Sequence, residues 1–269
     1  STRKKLSIAM REKEYDEATV LPRPWKSALV PFFAKIPKRV GFHGEQRYIL
    51  LTERRKLDKK VLNQTVKRFV SLGLAAQEAY PPKVLPQPKL STDIGNKKSL
   101  YQQHNLDAER PAVAMMAGAE YGPAKQWPLK HFRTLAEELI QKGYQVWILG
   151  GPKDIEDGDV ITQDLGPHAH NLCGKTQLVD AIDLLAAAEV AISNDSGLMH
   201  VAAAVGTKVH GIYGSTSEAF TPPLTDNKVI HNLHLDCSPC FKRQCPLGHT
   251  DCLNNLKPSQ IIQTISPSH

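Results

Sequence analysis

From Pro111 onward the chain keeps one strict alternation, and that alternation limits the fold more than any other feature. Short apolar runs at residues 112–117, 145–149, 190–193 and 208–213 are separated by amphipathic stretches at 128–142, 154–165, 178–188 and 196–205. Runs of four to six apolar residues suit strands buried on both faces, and longer stretches of 3.6-residue period suit helices. Strands that alternate with helices build a parallel sheet covered on both sides. Pro128 at a helix start and Gly143 just past its end are the expected punctuation. In an open α/β sheet the ligand lies at the carboxyl ends of the strands. The residues after Ala117, Leu149, Ser193 and Tyr213 are therefore the ones that carry chemistry.

The first 110 residues are less regular. Residues 15–21 and 39–42 read as strands, a helix is expected to start near Ser27, and 57–73 reads as an amphipathic helix. Four prolines between Tyr80 and Pro88 forbid regular helix and mark a linker, and a polar stretch over 92–110 follows. Two domains are expected, 1–105 and 106–269.

Composition narrows the classes. At 41% hydrophobic residues a sizeable core is available, and with 6% aromatics it is built of Leu, Val and Ala. No apolar run approaches the ~18 residues of a membrane span. The net charge of +7 and a pI near 9.1 favour anionic partners. The excess is concentrated between Arg3 and Lys60. Nucleic acid is not the expected partner, because there is no zinc-finger pattern, no aromatic RNA-binding signature and little to stack bases on.

Three strand-end loops carry the strongest signals. Asn194-Asp195-Ser196-Gly197-Leu198-Met199-His200 follows a strand and opens a helix. Ser196, or alternatively Asp195, can cap that helix, and Gly197 admits a ligand close to the backbone. Free amides and the helix dipole there suit a diphosphate. Asp195 would repel phosphate, so sugar hydroxyls suit it better. The loop after Ala117 ends in Lys125, whose charge could neutralise a leaving diphosphate. Gly150-Gly151 forms the third loop. Gly174-Lys175-Thr176-Gln177-Leu178, with Thr176 as the expected cap, precedes the next helix. It is not an ATP-binding P-loop, since Ala169 stands where that pattern needs its first glycine.

These motifs resemble glycosyltransferase family 9. The likeness is carried by Lys125-x-Trp127-Pro128, Gly174-Lys175-Thr176-x-Leu178, the run from Asn194 to Ala204, Tyr213-Gly214-Ser215-Thr216 and Phe220-Thr221-Pro222-Pro223-Leu224. Arg11-Glu12-Lys13-x-Tyr15-Asp16 and residues 26–33 extend it to the N-terminal half. The resemblance implies a GT-B fold, two Rossmann-like domains flanking a cleft, and an inverting transferase that needs no metal cofactor. It implies ADP-L-glycero-β-D-manno-heptose as donor. The implied acceptor is the lipopolysaccharide inner core, a second heptose being added to the first. A cytoplasmic site at the inner face of the membrane is implied with it. By the same resemblance Lys125 and Asp195 are the catalytic candidates in this chain. Glu120, Gly151, Gly174, Thr176, Leu178, Ser196, Gly197 and His200 join them at the donor, and Lys26 and Ser27 meet the acceptor. The family's opening strand and Gly-rich turn, with the aspartate thought to be its general base, have no counterpart before Arg11. The N-terminal domain is thus expected to lack its first βα units, and the base to lie upstream.

Two other classes share such a donor site: a GT-B sugar-nucleotide epimerase, which needs no lipid acceptor, and a catalytically incomplete nucleotide-binding remnant. Cys237, Cys240, Cys245 and Cys252 fall within sixteen residues. That spacing leaves a structural metal, packed reduced thiols and a disulfide all open.

Overall fold

The computed structural model describes residues 2–75 and 82–265. The chain divides into two compact units, 1–86 and 87–269. The first two residues of the proline-rich segment, Tyr80 and Pro81, lie outside the described residues. Residues 82–93 form neither helix nor strand.

In the first unit, α1 (Thr2–Arg11) leads into β1 (Glu17–Val20), followed by α2 (Trp25–Phe33), β2 (Lys38–Phe42), β3 (Glu53–Arg55) and α3 (Thr65–Gly73). The three strands are parallel and lie in the order β1-β2-β3. Val20, Ala28 and Leu51 pack together, as do Val40, Phe42, Leu62 and Leu72. The buried Arg47 ties the strand ends: its Nη1 donates to the Pro22 carbonyl at 2.8 Å and its Nη2 to that of Phe42 at 2.5 Å. Helix α3 starts later than the expected 57. The Asp58 carboxylate accepts from the Lys60 amide at 2.8 Å and folds the preceding residues into a local turn instead. Helix α2 starts at Trp25, two residues before Ser27, with Pro24 at its N-cap.

The second unit opens with α4 (Ile94–Gln103), then runs β4 (Ala112–Met116), α5 (Leu129–Gln141), β5 (Gln145–Ile148), α6 (Ile155–Thr162), β6 (Ala169–Asn171), α7 (Leu178–Ala187), β7 (Val190–Asn194), α8 (Gly197–Ala204), β8 (Lys208–Ile212), β9 (Lys228–His231), α9 (Asp251–Asn254) and α10 (Pro258–Ile262). All six strands are parallel, in the order β6-β5-β4-β7-β8-β9. Side chains alternate across the sheet with period two. Val113, Met115, Val146 and Ile192 pack with Phe132 and Leu135 of α5 and Ile261 of α10. Ala114, Met116, Trp147 and Ala191 pack with Leu184 of α7 and Met199 of α8. The doubly covered parallel sheet expected from the alternation is the one observed.

The polar stretch expected over 92–110 contains α4, and this helix belongs to the second unit. Asp93 caps it, its carboxylate accepting from Gly95 N at 2.7 Å and Asn96 N at 3.1 Å. Asn96 Nδ2 then donates to Asp180 Oδ1 at 3.0 Å and Asp183 Oδ2 at 2.7 Å on α7. Leu100 enters the core and Tyr101 meets Trp147 edge-on, but Leu100 is the helix's single buried residue, so the helix carries no apolar period of its own. The three strands without an expectation, β3, β6 and β9, are sheet-edge strands of three or four residues. An edge strand is half-covered and needs no continuous apolar run.

Two buried histidines join β8 to β9. His210 Nδ1 lies 3.1 Å from His231 Nε2, with the rings stacked at 25°. Burial pushes both imidazoles down, His210 to about 3 and His231 to about 4. The folded state therefore binds fewer protons than the unfolded state below the ordinary value of about 6.5. Stability is full above pH 6.5 and falls as the pH drops from there toward 3. The urea midpoint is expected to fall between pH 7 and pH 4.5, and to fall less in His231→Phe. An equal fall in the variant would place the acid sensitivity elsewhere.

Candidate donor-binding site

Strand order alone locates the site. From β4 the chain moves outward to β5 and β6 on one side, and from β7 to β8 and β9 on the other. The sheet reverses between β4 and β7, and loops that leave the carboxyl ends of two such strands diverge around a crevice. The loop after β4 carries Lys125 in a short turn, Pro123–Lys125, and the loop after β7 carries Asp195, Ser196 and Gly197.

Two interactions stitch these loops together. Asn194 is fully buried at the end of β7. Its Nδ2 donates to the Ala117 carbonyl at 2.8 Å, and its Oδ1 accepts from the Trp127 amide at 3.0 Å. One side chain thus holds both ends of the β4 loop. The second interaction is an ion pair: Lys125 Nζ lies 2.7 Å from Asp195 Oδ2, with side chains only 15% and 7% exposed. The same ammonium approaches the Asp195 carbonyl at 3.3 Å. Thr221 Oγ1 donates to Asp195 Oδ1 at 3.4 Å, and the Tyr213 hydroxyl positions Thr221 by donating to its carbonyl at 2.7 Å.

Ser196 occupies the N-cap position of α8 with extended φ and ψ of −137° and 171°, but its side chain does not cap. Its Oγ lies 3.1 Å from Ser193 Oγ, which donates back to the Asn194 carbonyl at 2.7 Å. The expected side-chain cap is therefore replaced by a serine pair. The first-turn amides of α8 keep their hydrogen-bonding capacity for an anion. At α7 the cap is Gln177, not the expected Thr176. The Gln177 amide donates to the Asp180 carboxylate at 2.8 Å.

Two adjoining cavities open here. One of about 630 Å³ is lined by Gly118, Glu120, Gly150, Gly151, Asp154, Ser196 and Gly197, among others. The other, about 320 Å³, is lined by Glu120, Tyr121, Lys125, Asp195, Ser196, Gly197, His200 and Thr221. The geometry thus brings seven of the expected donor residues together: Glu120, Lys125, Gly151, Asp195, Ser196, Gly197 and His200. It does not bring Gly174, Thr176 or Leu178 to either cavity wall. Gly174 sits behind the wall, donating its amide to the Gly150 carbonyl at 3.0 Å at a φ of +69°. Leu178 is 63% exposed. In the first unit, Lys26 is exposed and Ser27 half-buried in the opening turn of α2.

Burial lowers the pKa of His200, and the Lys125 charge adds to this while Asp195 opposes it. The imidazole is therefore neutral at neutral pH. Glu120 meets Lys153 at 3.9 Å with both side chains almost fully exposed, a contact of little energetic weight.

Sequence reasoning missed Asp154, which read only as the start of a helix. Its Oδ2 accepts from the Gly151 amide at 2.8 Å. A Cβ on Gly118 or on Gly150 would come within 2.7 Å of the same carboxylate. These two glycines leave room for a carboxylate between neighbouring strand-end loops, which a linear reading cannot see. Tyr121 was missed too. Lys125 Nζ and Arg243 Cζ lie 5.1 and 5.2 Å from its ring centroid, and its hydroxyl donates to the Phe241 carbonyl at 3.1 Å.

The last contact ties the Lys125 loop to the cysteine-rich segment. Cys237, Cys240, Cys245 and Cys252 line one small cavity with Ala124 and Ser215. All five cysteines are free thiols, so the disulfide option is not the state observed. Among the described residues, no group of three or more His, Cys, Asp or Glu is arranged to hold a metal ion. Cys173 stands apart, and burial pushes its thiol up to about 12.

A doubly covered parallel sheet whose switch point carries a free helix start, paired glycines and a buried Lys–Asp couple is an open α/β domain with a ligand crevice at its switch point. Residues 3–251 match the model of glycosyltransferase family 9 (heptosyltransferase). The chain is 40% identical over 272 residues to lipopolysaccharide heptosyltransferase 2 of Escherichia coli, covering 98% of this chain and 78% of that protein. It is 42% identical over 242 residues to lipooligosaccharide heptosyltransferase 2 of Haemophilus influenzae, covering 86% and 69%. The solved structure of E. coli ADP-heptose LPS heptosyltransferase II superposes with a TM-score of 0.86 at 39% identity, over 97% of this chain and 78% of that one. The chain belongs to glycosyltransferase family 9, and it is a glycosyltransferase enzyme.

Proposed function

We propose that this protein transfers heptose from ADP-heptose to the inner core of lipopolysaccharide, adding a second heptose to the first with inversion at the anomeric carbon. The observation that carries the reading is the Lys125–Asp195 pair beside the uncapped start of α8, on the cavity wall at the sheet's switch point. The names of the relatives supply the sugar and the acceptor.

The donor's diphosphate lies on the first-turn amides of α8, where Gly197 leaves the backbone open. Lys125 turns its ammonium, now shared with Asp195, onto the phosphate oxygens. As the bond between the anomeric carbon and the phosphate oxygen breaks, its electron pair leaves with ADP, and Lys125 and the amides stabilise that charge. Asp195, held by Lys125 and Thr221, faces the heptose hydroxyls rather than the phosphates. Glu120 and Gly151 line the larger cavity, which receives the rest of the nucleotide. Gly174 supports that wall from behind, and Thr176 and Leu178 flank the adenosine at its rim. His200, neutral, offers a hydrogen bond to donor or diphosphate. The acceptor hydroxyl attacks from the opposite face and gives its proton to a base on the acceptor side, where Lys26 and Ser27 assist binding. Charge stabilisation comes from side chains and amides, so the reaction runs without a metal cofactor.

Among the described residues no helix is long and apolar enough to cross a membrane. The lipopolysaccharide in the relatives' names supports a reading in which a lipid-linked acceptor is met at the cytoplasmic face of the inner membrane, peripherally. Calorimetric titration with ADP in EDTA is expected to give saturable binding, abolished in Gly197→Val and much weaker with UDP. Absence of binding in folded protein would overturn the reading.

A further inference from the structure

The Lys125 ammonium has three N–H donors. Asp195 alone answers to two of them, accepting at Oδ2 at 2.7 Å and at its carbonyl at 3.3 Å. Among the described residues no other oxygen takes a hydrogen bond from this ammonium. What meets it instead is the ring of Tyr121, whose centroid lies 5.1 Å from Nζ.

Tyr121 stands four residues before Lys125 in the same loop and lines the cavity of about 320 Å³ with Lys125, Asp195 and Thr221. Its surface is 42% exposed, yet its orientation is fixed from outside the cavity. The hydroxyl donates to the Phe241 carbonyl at 3.1 Å, and Arg243 Cζ stands 5.2 Å from the ring centroid. The two backbones are joined as well, the Ala124 amide donating to the Arg243 carbonyl at 3.1 Å. Gly122 permits that approach. Its φ is +151°, and a Cβ there would lie 2.6 Å from the Arg243 carbonyl oxygen. The same segment also reaches the Asp195 side. The Phe241 amide donates to the Ser215 carbonyl at 2.7 Å, and the Phe241 ring meets Phe220 edge-on at 6.4 Å, next to the Thr221 that bonds Asp195. Three residues of the cysteine-rich segment, 241–243, therefore brace both members of the ion pair.

A ring face does at this point what other side chains do not. A carboxylate would neutralise Lys125 and repel a diphosphate. A hydroxyl or amide oxygen would take the third N–H. An aliphatic side chain would desolvate the ammonium and return nothing. An aromatic face attracts the cation through its quadrupole and presents no lone pair to compete with a phosphate oxygen. Donation from the phenol to the Phe241 carbonyl leaves more electron density on the ring and strengthens that attraction.

We propose that Tyr121 is a positioning residue for Lys125: its ring face holds the ammonium at the cavity wall and leaves the third N–H for a phosphate oxygen of the donor, while Phe241 and Arg243 set the plane of the ring. This deepens the donor half of the function proposed above and rests on it. The cysteine-rich segment thereby acts on the leaving group without touching it.

The test is a double-mutant cycle read by calorimetric ADP binding, with transfer kinetics beside it. Tyr121→Leu is expected to raise the ADP Kd roughly fivefold to tenfold, and to raise it less than twofold in Lys125→Ala, where no ammonium is left to position. The variant should lower kcat by a similar factor and leave acceptor KM unchanged. Tyr121→Phe keeps the ring face and should recover most of both losses. The Lys125 Cε protons, in protein with isotope-labelled lysine, check the geometry without a ligand. They should be shifted upfield in wild type and in Tyr121→Phe, and lie at ordinary positions in Tyr121→Leu. The proposal is overturned if those protons are unshifted in wild type, or if Tyr121→Leu binds ADP as wild type does. It is overturned equally if Tyr121→Leu costs as much in Lys125→Ala as in wild type, since the residue then only supports the loop. A loss in Tyr121→Phe as large as in Tyr121→Leu assigns the effect to the hydroxyl and also overturns it. Absence of ADP binding in folded wild type overturns both this proposal and the donor-site reading. If the ADP cycle comes out as described while the wild-type protein transfers no heptose, the positioning role stands and the transfer reading falls.

Discussion

Lys125→Ala is expected to lower kcat for sugar transfer by about 10²–10³-fold, the usual loss when one preorganised charge or donor is removed from a leaving oxyanion. Two effects combine in this variant. The cation that meets the departing diphosphate is gone, and Asp195, only 7% exposed, is left as an unpaired carboxylate beside the phosphates. Truncating one member of a buried pair costs more than the pair contributes, because the remaining charge stays desolvated. The two effects separate in a double variant. Lys125→Ala/Asp195→Asn should recover much of the donor affinity lost in Lys125→Ala, since the stranded charge is removed, yet kcat should stay low. Steady-state kinetics with varied donor, alongside calorimetric ADP binding, reads both quantities. A Lys125→Ala enzyme with kcat within threefold of wild type would remove Lys125 from the chemistry and leave it a structural partner of Asp195.

Asn194→Ala should produce the largest loss of stability among single changes at the site, roughly 2–4 kcal/mol in urea unfolding. The deleted amide serves the Ala117 carbonyl and the Trp127 amide, and both backbone groups lie in the interior where water cannot replace it. Asn194→Asp keeps the acceptor for Trp127 but cannot donate to Ala117, and it buries a charge; it should be no better. The Trp127 indole, bonded to the Leu256 carbonyl at 2.9 Å, continues the same buried line to the C-terminal segment. Loosening Asn194 therefore also frees the β4 loop that carries Lys125, and weaker ADP binding is expected alongside the lower midpoint. A loss below 1 kcal/mol with unchanged ADP affinity would show that the loops are held by the Lys125–Asp195 pair instead.

Much of the second unit was legible in the chain itself. β4, β5, β7 and β8 are apolar runs buried on both faces, so the pattern needed no knowledge of neighbours. The Asn194–Gly197 helix start was found because it directly follows a strand, and Lys125 because it lies in the loop at another strand's carboxyl end. What escaped was decided at a distance. α4 is fixed by Asn96 reaching Asp180 and Asp183, across more than eighty residues of sequence, and by Leu100 joining the core of the second unit. β6 and β9 exist only because a sheet edge offers them hydrogen bonds. Ser196 occupies the cap position as expected, yet its hydroxyl turns to Ser193, a choice set by the buried serine at the end of β7.

The sequence by itself determined the fold class, the second unit's parallel sheet and which loops gather at the strand ends, because burial periodicity and strand-end chemistry are local properties. Only the tertiary structure decided that Lys125 and Asp195 form one buried pair. It alone packed Asp154 between two glycines and set the Tyr121 ring beside the Lys125 ammonium. Those arrangements depend on strand order and on which side of a strand each residue faces once the sheet is assembled. Neither is written in the spacing of residues along the chain.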